Sequence, residues 1–130
     1  YTYHADQKGR FGDHFDTRTK SGRPFIIPRG KWLCIEMYMK LNTPGKHDGT
    51  LKLWVDDELV GERTGIRFRN LASMKIDNLF VNAYFGGTWT SPRSQHVYYD
   101  DIVMAKKYIG PCAKTRTGGS LSPPPGWERK

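Results

Sequence analysis

Apolar and polar residues alternate along the first half of the chain with the two-residue period of a β-strand. Residues 32–41 show this pattern most clearly. The apolar positions are Leu33, Ile35, Met37, Met39 and Leu41, and the residues between them are Trp32, Cys34, Glu36, Tyr38 and Lys40. Because successive side chains of a strand point to opposite faces, the segment predicts a central strand. One of its faces would be core, and the other would mix aromatic rings with charges.

Turn-forming residues separate this segment from further predicted strands. Residues 42–50 are rich in Gly, Pro, Asn and Asp, as expected of a loop. Asp56 and Asp57 predict a tight hairpin turn. The further predicted strands cover residues 51–55, 58–62, 67–69, 74–85 and 95–105. No segment has the period of a helix, so the pattern predicts an all-β fold, an antiparallel β-sandwich or barrel.

The length of 130 residues suffices for one domain, which is predicted over residues 1–112. Residues 113–130 are rich in Gly, Ser, Pro and basic residues and predict a flexible tail. No apolar run approaches the ~18 residues of a membrane span. The sequence shows neither a signal peptide nor an initiator Met, and its start at Tyr1, inside a predicted strand, indicates a processed or excised chain.

The formal net charge of +8 favours a polyanionic partner: nucleic acid, anionic lipid or an acidic glycan. Four basic residues and one acidic residue in the tail supply +3 of this charge, which leaves +5 for residues 1–112. The sequence carries no signature of the common nucleic-acid-binding modules, so nucleic acid is the less favoured partner.

The two cysteines, Cys34 and Cys112, have a spacing that fits no zinc motif. In a secreted protein they would form a disulfide between the last strand and the sheet, and the alternative is two separate buried thiols. Asp77, Asp100 and Asp101 offer oxygen ligands for a structural calcium ion. Because their spacing matches no calcium loop, capping or turn roles are favoured, and no cofactor is predicted.

Several short motifs occur together in the order and spacing of one group of proteins. They are Tyr-Thr-Tyr-His-Ala-Asp-Gln at 1–7, Gly12, Gly30-Lys31-Trp32, Leu41-Asn42-Thr43-Pro44-Gly45, Asp48-Gly49, Leu53-Trp54-Val55-Asp56, Arg67, Ile76-Asp77 and Phe85-Gly86-Gly87. Over roughly residues 1–110 the chain resembles the C-terminal part of the alginate-lyase and glucuronan-lyase-like polysaccharide lyases. The resemblance implies a secreted domain with a concanavalin-like jelly roll that acts on an acidic, uronate-containing polysaccharide.

The same resemblance implies catalytic roles for Tyr1 and Tyr3, which match the Tyr-x-Tyr motif of that family. The family also uses a Lys and a Ser-x-Arg pair from strands earlier in its chain, and these strands are missing here, so we expect an incomplete jelly roll. Two alternatives therefore stay open: a lyase, or a glycan-binding or assembly module that does not cleave. An incomplete sandwich would expose a strand edge for self-association or for a partner chain.

The remaining site candidates are substrate-binding residues. Trp32, Tyr38 and Lys40 share one face of the first predicted strand, where they form either a groove floor or a solvated outer face. Arg67 and Arg69 could hold a uronate carboxylate by paired hydrogen bonds, or they could protect a strand edge by charge. His96, at the start of the last predicted strand, could contact substrate as a base, although a surface role is the more common one for such a residue.

Overall fold

Three β-strands form one antiparallel sheet in the computed structural model, which describes residues 1–110. β1 spans Ile35–Lys40, β2 spans Gly49–Val55 and β3 spans Glu58–Ile66, and their order in the sheet follows the chain. The described residues contain no helix, so the all-β prediction is confirmed for them. Cys112 and the predicted tail, residues 113–130, lie outside the described residues.

The predicted two-residue turn between β2 and β3 is confirmed. Asp56 and Asp57 have φ angles of 48° and 67°, both in the left-handed region that a type I′ hairpin turn requires. Asp56 also bonds to the residue before β1. Its amide donates to the Cys34 carbonyl at 2.9 Å, and its Oδ1 accepts from the Cys34 amide at 2.9 Å. The turn therefore fixes where the β1–β2 ladder begins.

The apolar face of the sheet is buried at β2 and β3 but exposed at β1. The register pairs Ile35 with Val55, Met37 with Leu53 and Met39 with Leu51. Leu51, Val55, Val60 and Ile66 are buried, whereas Ile35 and Met37 are 56% and 58% exposed. The prediction that Ile35 and Met37 are core residues is therefore wrong for the described structure, because β1 is the edge strand and no second layer covers it.

The segment before β1 contains two isolated antiparallel bridges. Thr2 and Asp13 exchange two backbone hydrogen bonds, at 2.8 and 2.9 Å, which closes residues 2–13 into a loop. Arg18 and Pro24 form the second bridge, within a short hairpin. These two bridges order the segment from residue 2 to residue 24, which contains no regular strand.

The N-terminal segment packs on β3. The Arg18 amide donates to the Val60 carbonyl at 2.6 Å, on the edge of β3 that β2 does not use. The ring of Phe15 lies directly over Gly61, where an added Cβ would stand 2.7 Å from the ring. Because Gly61 has no side chain, the ring can approach the backbone of β3 closely.

Asn42 joins the β1–β2 loop to the chain after β3. Its side chain is fully buried. Its Nδ2 donates to the carbonyls of Thr43, Lys46 and Arg69 at 2.7–2.9 Å, and its Oδ1 accepts from the Arg69 amide at 2.9 Å. Because Nδ2 carries only two hydrogens, one of them is shared between two of the three carbonyls. This one amide group therefore satisfies backbone atoms of two separate loops.

Several predicted boundaries are corrected by the structure. β1 begins at Ile35 instead of residue 32 and lies at the sheet edge, while β2 is the central strand. β3 continues to Ile66 instead of ending at residue 62. Within residues 67–110 no strand is present, so the strands predicted there, including the one beginning near His96, are wrong for the described residues. Alternation shows that a segment could be a strand, but a strand also needs a partner for its backbone hydrogen bonds.

Candidate functional site

One face of the sheet carries aromatic rings and ammonium groups side by side. The residues of this polar sheet face on β1 and β2 are Glu36, Tyr38, Lys40, Thr50, Lys52 and Trp54. They form three cross-strand rows: Glu36 opposite Trp54, Tyr38 opposite Lys52, and Lys40 opposite Thr50. Directly opposite side chains stand about 5 Å apart at Cβ. The register therefore brings a phenol ring, an indole ring and two ammonium groups onto one small surface.

The two lysines of the polar sheet face differ in their surroundings. Lys52 Nζ lies 2.7 Å from Glu62 Oε1 across the β2–β3 ladder, in a pair open enough to solvent to stabilise the fold by less than about 1 kcal/mol. Lys40 is exposed. Its charge acts on Asp48, whose pKa is lowered chiefly by a hydrogen bond from Thr43 and, to a lesser degree, by the charge of Lys40.

Residues 108–109 lie against one end of the polar sheet face. The Tyr108 ring is tilted over the Trp54 ring, with 4.9 Å between centroids and 43° between planes. The Ile109 amide donates to Glu36 Oε1 at 2.9 Å. Both contacts are made to the same cross-strand row, and the rows of Tyr38 and Lys40 receive no such contact from residues 1–110.

Tyr1 and Tyr3 lie on the N-terminal loop, away from regular strands. They are 76% and 60% exposed, and the residue between them, Thr2, is buried. The Tyr1 ring lies 4.7 Å from the His14 ring. Within the described part of the chain, no hydrogen bond or ring contact joins either tyrosine to the polar sheet face. Both tyrosines are thus exposed, and their catalytic roles remain a prediction.

A cluster that the sequence analysis did not identify supports this loop. His4 Nε2 lies 2.7 Å from Asp13 Oδ2, and Arg63 Nη2 lies 3.1 Å from the same oxygen. His4 Nδ1 accepts a hydrogen bond from the Asp6 amide, which assigns the imidazole proton to Nε2, the donor to Asp13. These two hydrogen bonds, first that of His4 and then that of Arg63, lower the pKa of Asp13.

The cluster connects the N-terminal loop to β3, because Arg63 belongs to β3 and its partners to residues 4–13. The His4 side chain is almost completely buried. Arg63 is 50 residues from Asp13 in the sequence, so only the fold could reveal that the three residues meet. The alternation at Tyr1 and Tyr3 gave one hint, since it predicts that His4 points away from them.

Arg67 binds a carboxylate, as predicted, but this carboxylate is the side chain of Asp6. Its Nε and Nη2 donate to the Asp6 carboxylate, and Nη1 donates to Asn70 Oδ1 at 3.2 Å. His47 Nε2 lies 2.9 Å from Asp6 Oδ2. The hydrogen bond from Arg67 is the main cause that lowers the pKa of Asp6, and the reciprocal bond raises the pKa of Arg67.

Arg69 is bonded to backbone carbonyls. Its Nε donates to the Asn42 carbonyl at 3.0 Å, and its Nη1 donates to the carbonyl of Met74 at 2.5 Å. Arg67 and Arg69 therefore belong to two separate hydrogen-bond networks and do not form one shared carboxylate-binding site. Their predicted substrate contacts remain a prediction.

The remaining candidates lie apart from the polar sheet face or at its margin. Trp32 is half-buried and precedes β1, so it does not share the regular alternation of Tyr38 and Lys40. His96 is exposed in the segment without strands. Cys34 is not a free thiol. Because Cys112 lies outside the described residues, the Cys34–Cys112 disulfide remains a prediction.

Sequence reasoning missed Lys52 and Trp54 as site residues, although both belong to the strand predicted over residues 51–55 and alternate with its apolar residues. The signal was present in the alternation of residues 51–55. Only the register, however, shows that Lys52 lies opposite Tyr38. Among the described residues, no group of three or more His, Cys, Asp or Glu side chains is arranged to hold a metal ion. None of them forms a helix long and apolar enough to cross a bilayer.

The fold and the polar sheet face define a β-strand protein that presents rings and cations on an open surface. Residues 5–102 match the sequence model of the Polysaccharide lyase 14 family, so the chain belongs to that family. The family resemblance predicted from the short motifs is thereby confirmed, and membership implies relatedness to the uronate polysaccharide lyases. The chain matches no curated protein and no solved structure. Tyr1 and Tyr3 precede the matched residues.

Proposed function

We propose that this protein binds an acidic, uronate-containing polysaccharide on the polar sheet face and cleaves it by β-elimination. The observation that carries the proposal is the cross-strand row of Tyr38 and Lys52 beside Lys40. An aromatic ring offers an apolar platform to the face of a sugar, and an ammonium group attracts the uronate carboxylate. A repeating polymer with one carboxylate per sugar therefore suits a surface on which aromatic rings and ammonium groups lie side by side.

The wider setting supports the same ligand class. Residues 1–112 carry a net charge of +5, which attracts a polyanion over a longer range than any single contact. The open apolar side of β1, at Ile35 and Met37, supports a jelly-roll sandwich in which a second layer packs on this sheet. We also propose an extracellular location, where such a polysaccharide is found and where Cys34 could form its disulfide.

The proposed cleavage needs a base, an acid and a cation. The base removes the proton beside the uronate carboxylate, a carbon–carbon double bond forms, the glycosidic carbon–oxygen bond breaks, and the acid protonates the leaving oxygen. A cation stabilises the charge that develops on the carboxylate. Tyr1 and Tyr3 are the residues proposed as base and acid, and both are accessible to a ligand. Lys40 is the proposed cation.

Binding is tested by calorimetric titration with polyglucuronate and alginate oligosaccharides. Lys40→Ala removes the exposed ammonium group of the polar sheet face, and we expect the Kd to rise about three- to tenfold. Lys75→Ala removes the same charge from an exposed position outside the sheet and should change the Kd less than about twofold. Equal effects of the two variants, or no binding of any acidic glycan, would contradict the proposal.

Cleavage is tested separately, by the ultraviolet absorbance of the new double bond. We expect Tyr1→Phe and Tyr3→Phe to abolish the rise in absorbance while the Kd stays within about twofold, because only the hydroxyl is removed. One observation favours the second candidate function, binding without cleavage: no contact joins Tyr1 or Tyr3 to the polar sheet face within residues 1–110. A wild-type protein that binds the glycan and produces no absorbance rise would establish that candidate instead.

A further inference from the structure

The segment at residues 108–109 covers one of the three rows of the polar sheet face. The tilted ring of Tyr108 contacts the Trp54 ring, and the next amide, that of Ile109, donates to Glu36 opposite Trp54. Trp54 carries the largest ring of this face and would otherwise be its best platform for a sugar. The Tyr108 ring instead covers part of the Trp54 ring.

This contact is a surface contact and not part of the core. Tyr108 and Ile109 are each about half exposed. The described contacts that hold them to the face are one tilted ring pair and one hydrogen bond to a carboxylate. Contacts of this kind are strong enough to keep a ring in place and weak enough to be removed without unfolding the sheet.

The next two rows are open by comparison. Tyr38 and Lys52 form the adjacent row, and Lys40 belongs to the row beyond it. Neither row has a ring contact or hydrogen bond with residues 108–109. A glycan lying along the face would therefore meet Lys40 and Tyr38 first and would reach Tyr108 at the end where Trp54 lies.

We infer that Tyr108 is a specificity-determining residue: it closes the Trp54 end of the polar sheet face and so limits the number of sugar residues that the face can bind. The inference rests on the proposed function, since it assumes that the face binds a uronate glycan. It adds that Trp54 does not contact the glycan while Tyr108 is in place.

The experiment measures the Kd of a uronate disaccharide and hexasaccharide by calorimetry. Tyr108→Ala uncovers Trp54, and we expect the hexasaccharide to bind about three- to tenfold more tightly while the disaccharide changes less than about twofold. Tyr108→Phe is the matched control, because it keeps the ring that covers Trp54 and should behave like the wild type.

The double variant Trp54→Ala/Tyr108→Ala tests whether the gain comes from Trp54. It should lose the gain shown by Tyr108→Ala, because the uncovered platform is no longer there. An unchanged hexasaccharide Kd in Tyr108→Ala, or a double variant that keeps the gain, would overturn the inference and leave the proposed function intact. Failure of the wild type to bind either glycan would instead refute the proposed function, and the inference with it.

Discussion

Replacing Asn42 by alanine tests how the loops around the polar sheet face are held together. Asn42 lies two residues after Lys40, and its side chain bonds both to its own loop and to Arg69 in the chain after β3. Alanine would remove all of these bonds. It would also leave the Arg69 amide and three carbonyls without their partner in a place where the side chain is fully buried.

The expected magnitude follows from the number of bonds. Four hydrogen bonds are lost, each worth about 0.5–1.5 kcal/mol net, and one of the three made by Nδ2 is shared. Because water can enter the loop and replace part of the loss, we expect the free energy of unfolding to fall by about 3 kcal/mol. For a domain of this size, that is a large part of the total stability.

The assay is urea denaturation followed by circular dichroism, with the slope of the transition compared between variants. The control is Asn78→Ala, an exposed asparagine, for which we expect a change within about 0.5 kcal/mol. A loss below about 1 kcal/mol for Asn42→Ala, with an unchanged slope, would refute the reasoning that this amide joins the two loops.

Asn42→Asp separates the donor role from the acceptor role. The introduced carboxyl group can still accept from the Arg69 amide, but when ionised it faces three carbonyl oxygens that had a donor. Burial and these carbonyls raise its folded-state pKa above the unfolded value, so stability is present at low pH and is lost as the pH rises through the folded pKa. We expect the variant to be closer to the wild type at pH 4 than at pH 7. The opposite trend would show that Nδ2 is not the important group.

Two further predictions concern the N-terminal segment. Asp13→Asn should destabilise the protein more at pH 7 than at pH 3 in urea denaturation, because the pKa of Asp13 is lowered from 3.8 and its stabilising contribution is lost as the pH falls through the folded value; an equal loss at both pH values would contradict this. Gly61→Ala should cost about 1–3 kcal/mol, because the new methyl group meets the Phe15 ring at 2.7 Å, whereas Gly9→Ala, whose nearest neighbour is at 3.7 Å, should be close to neutral in the same assay.

The sequence predicted those parts of the sheet that pair locally. The three strands β1, β2 and β3 lie within 32 consecutive residues, so alternation and the Asp56-Asp57 dipeptide were enough to predict them. Alternation also assigned Tyr38 and Lys40 to one face. It could not show that Lys52 lies opposite Tyr38, since register depends on the loop length between strands.

Longer-range features were beyond the reach of a sequence pattern. The cluster of His4, Asp13 and Arg63 assembles residues from the N-terminal loop and from β3. Likewise, the contact of Tyr108 with Trp54 depends on where the chain returns after β3, which no local signal specifies. The predicted strands after Ile66 had the right alternation, but alternation does not identify a hydrogen-bonding partner.

The surroundings of each cation decide which sequence candidates are best placed to hold a ligand. Arg67 and Arg69 already donate to acceptors of the protein, a carboxylate in one case and backbone carbonyls in the other. A uronate could use either guanidinium only by replacing bonds that hold loops together, and a planar fork with a fixed partner resists that exchange. Lys40 has an exposed ammonium group on a flexible stem, so it can follow the carboxylates of a polymer without breaking a bond of the fold. Lys40 is therefore the cation that we expect to contact the glycan, whereas Arg67 and Arg69 hold the loops that support the surface.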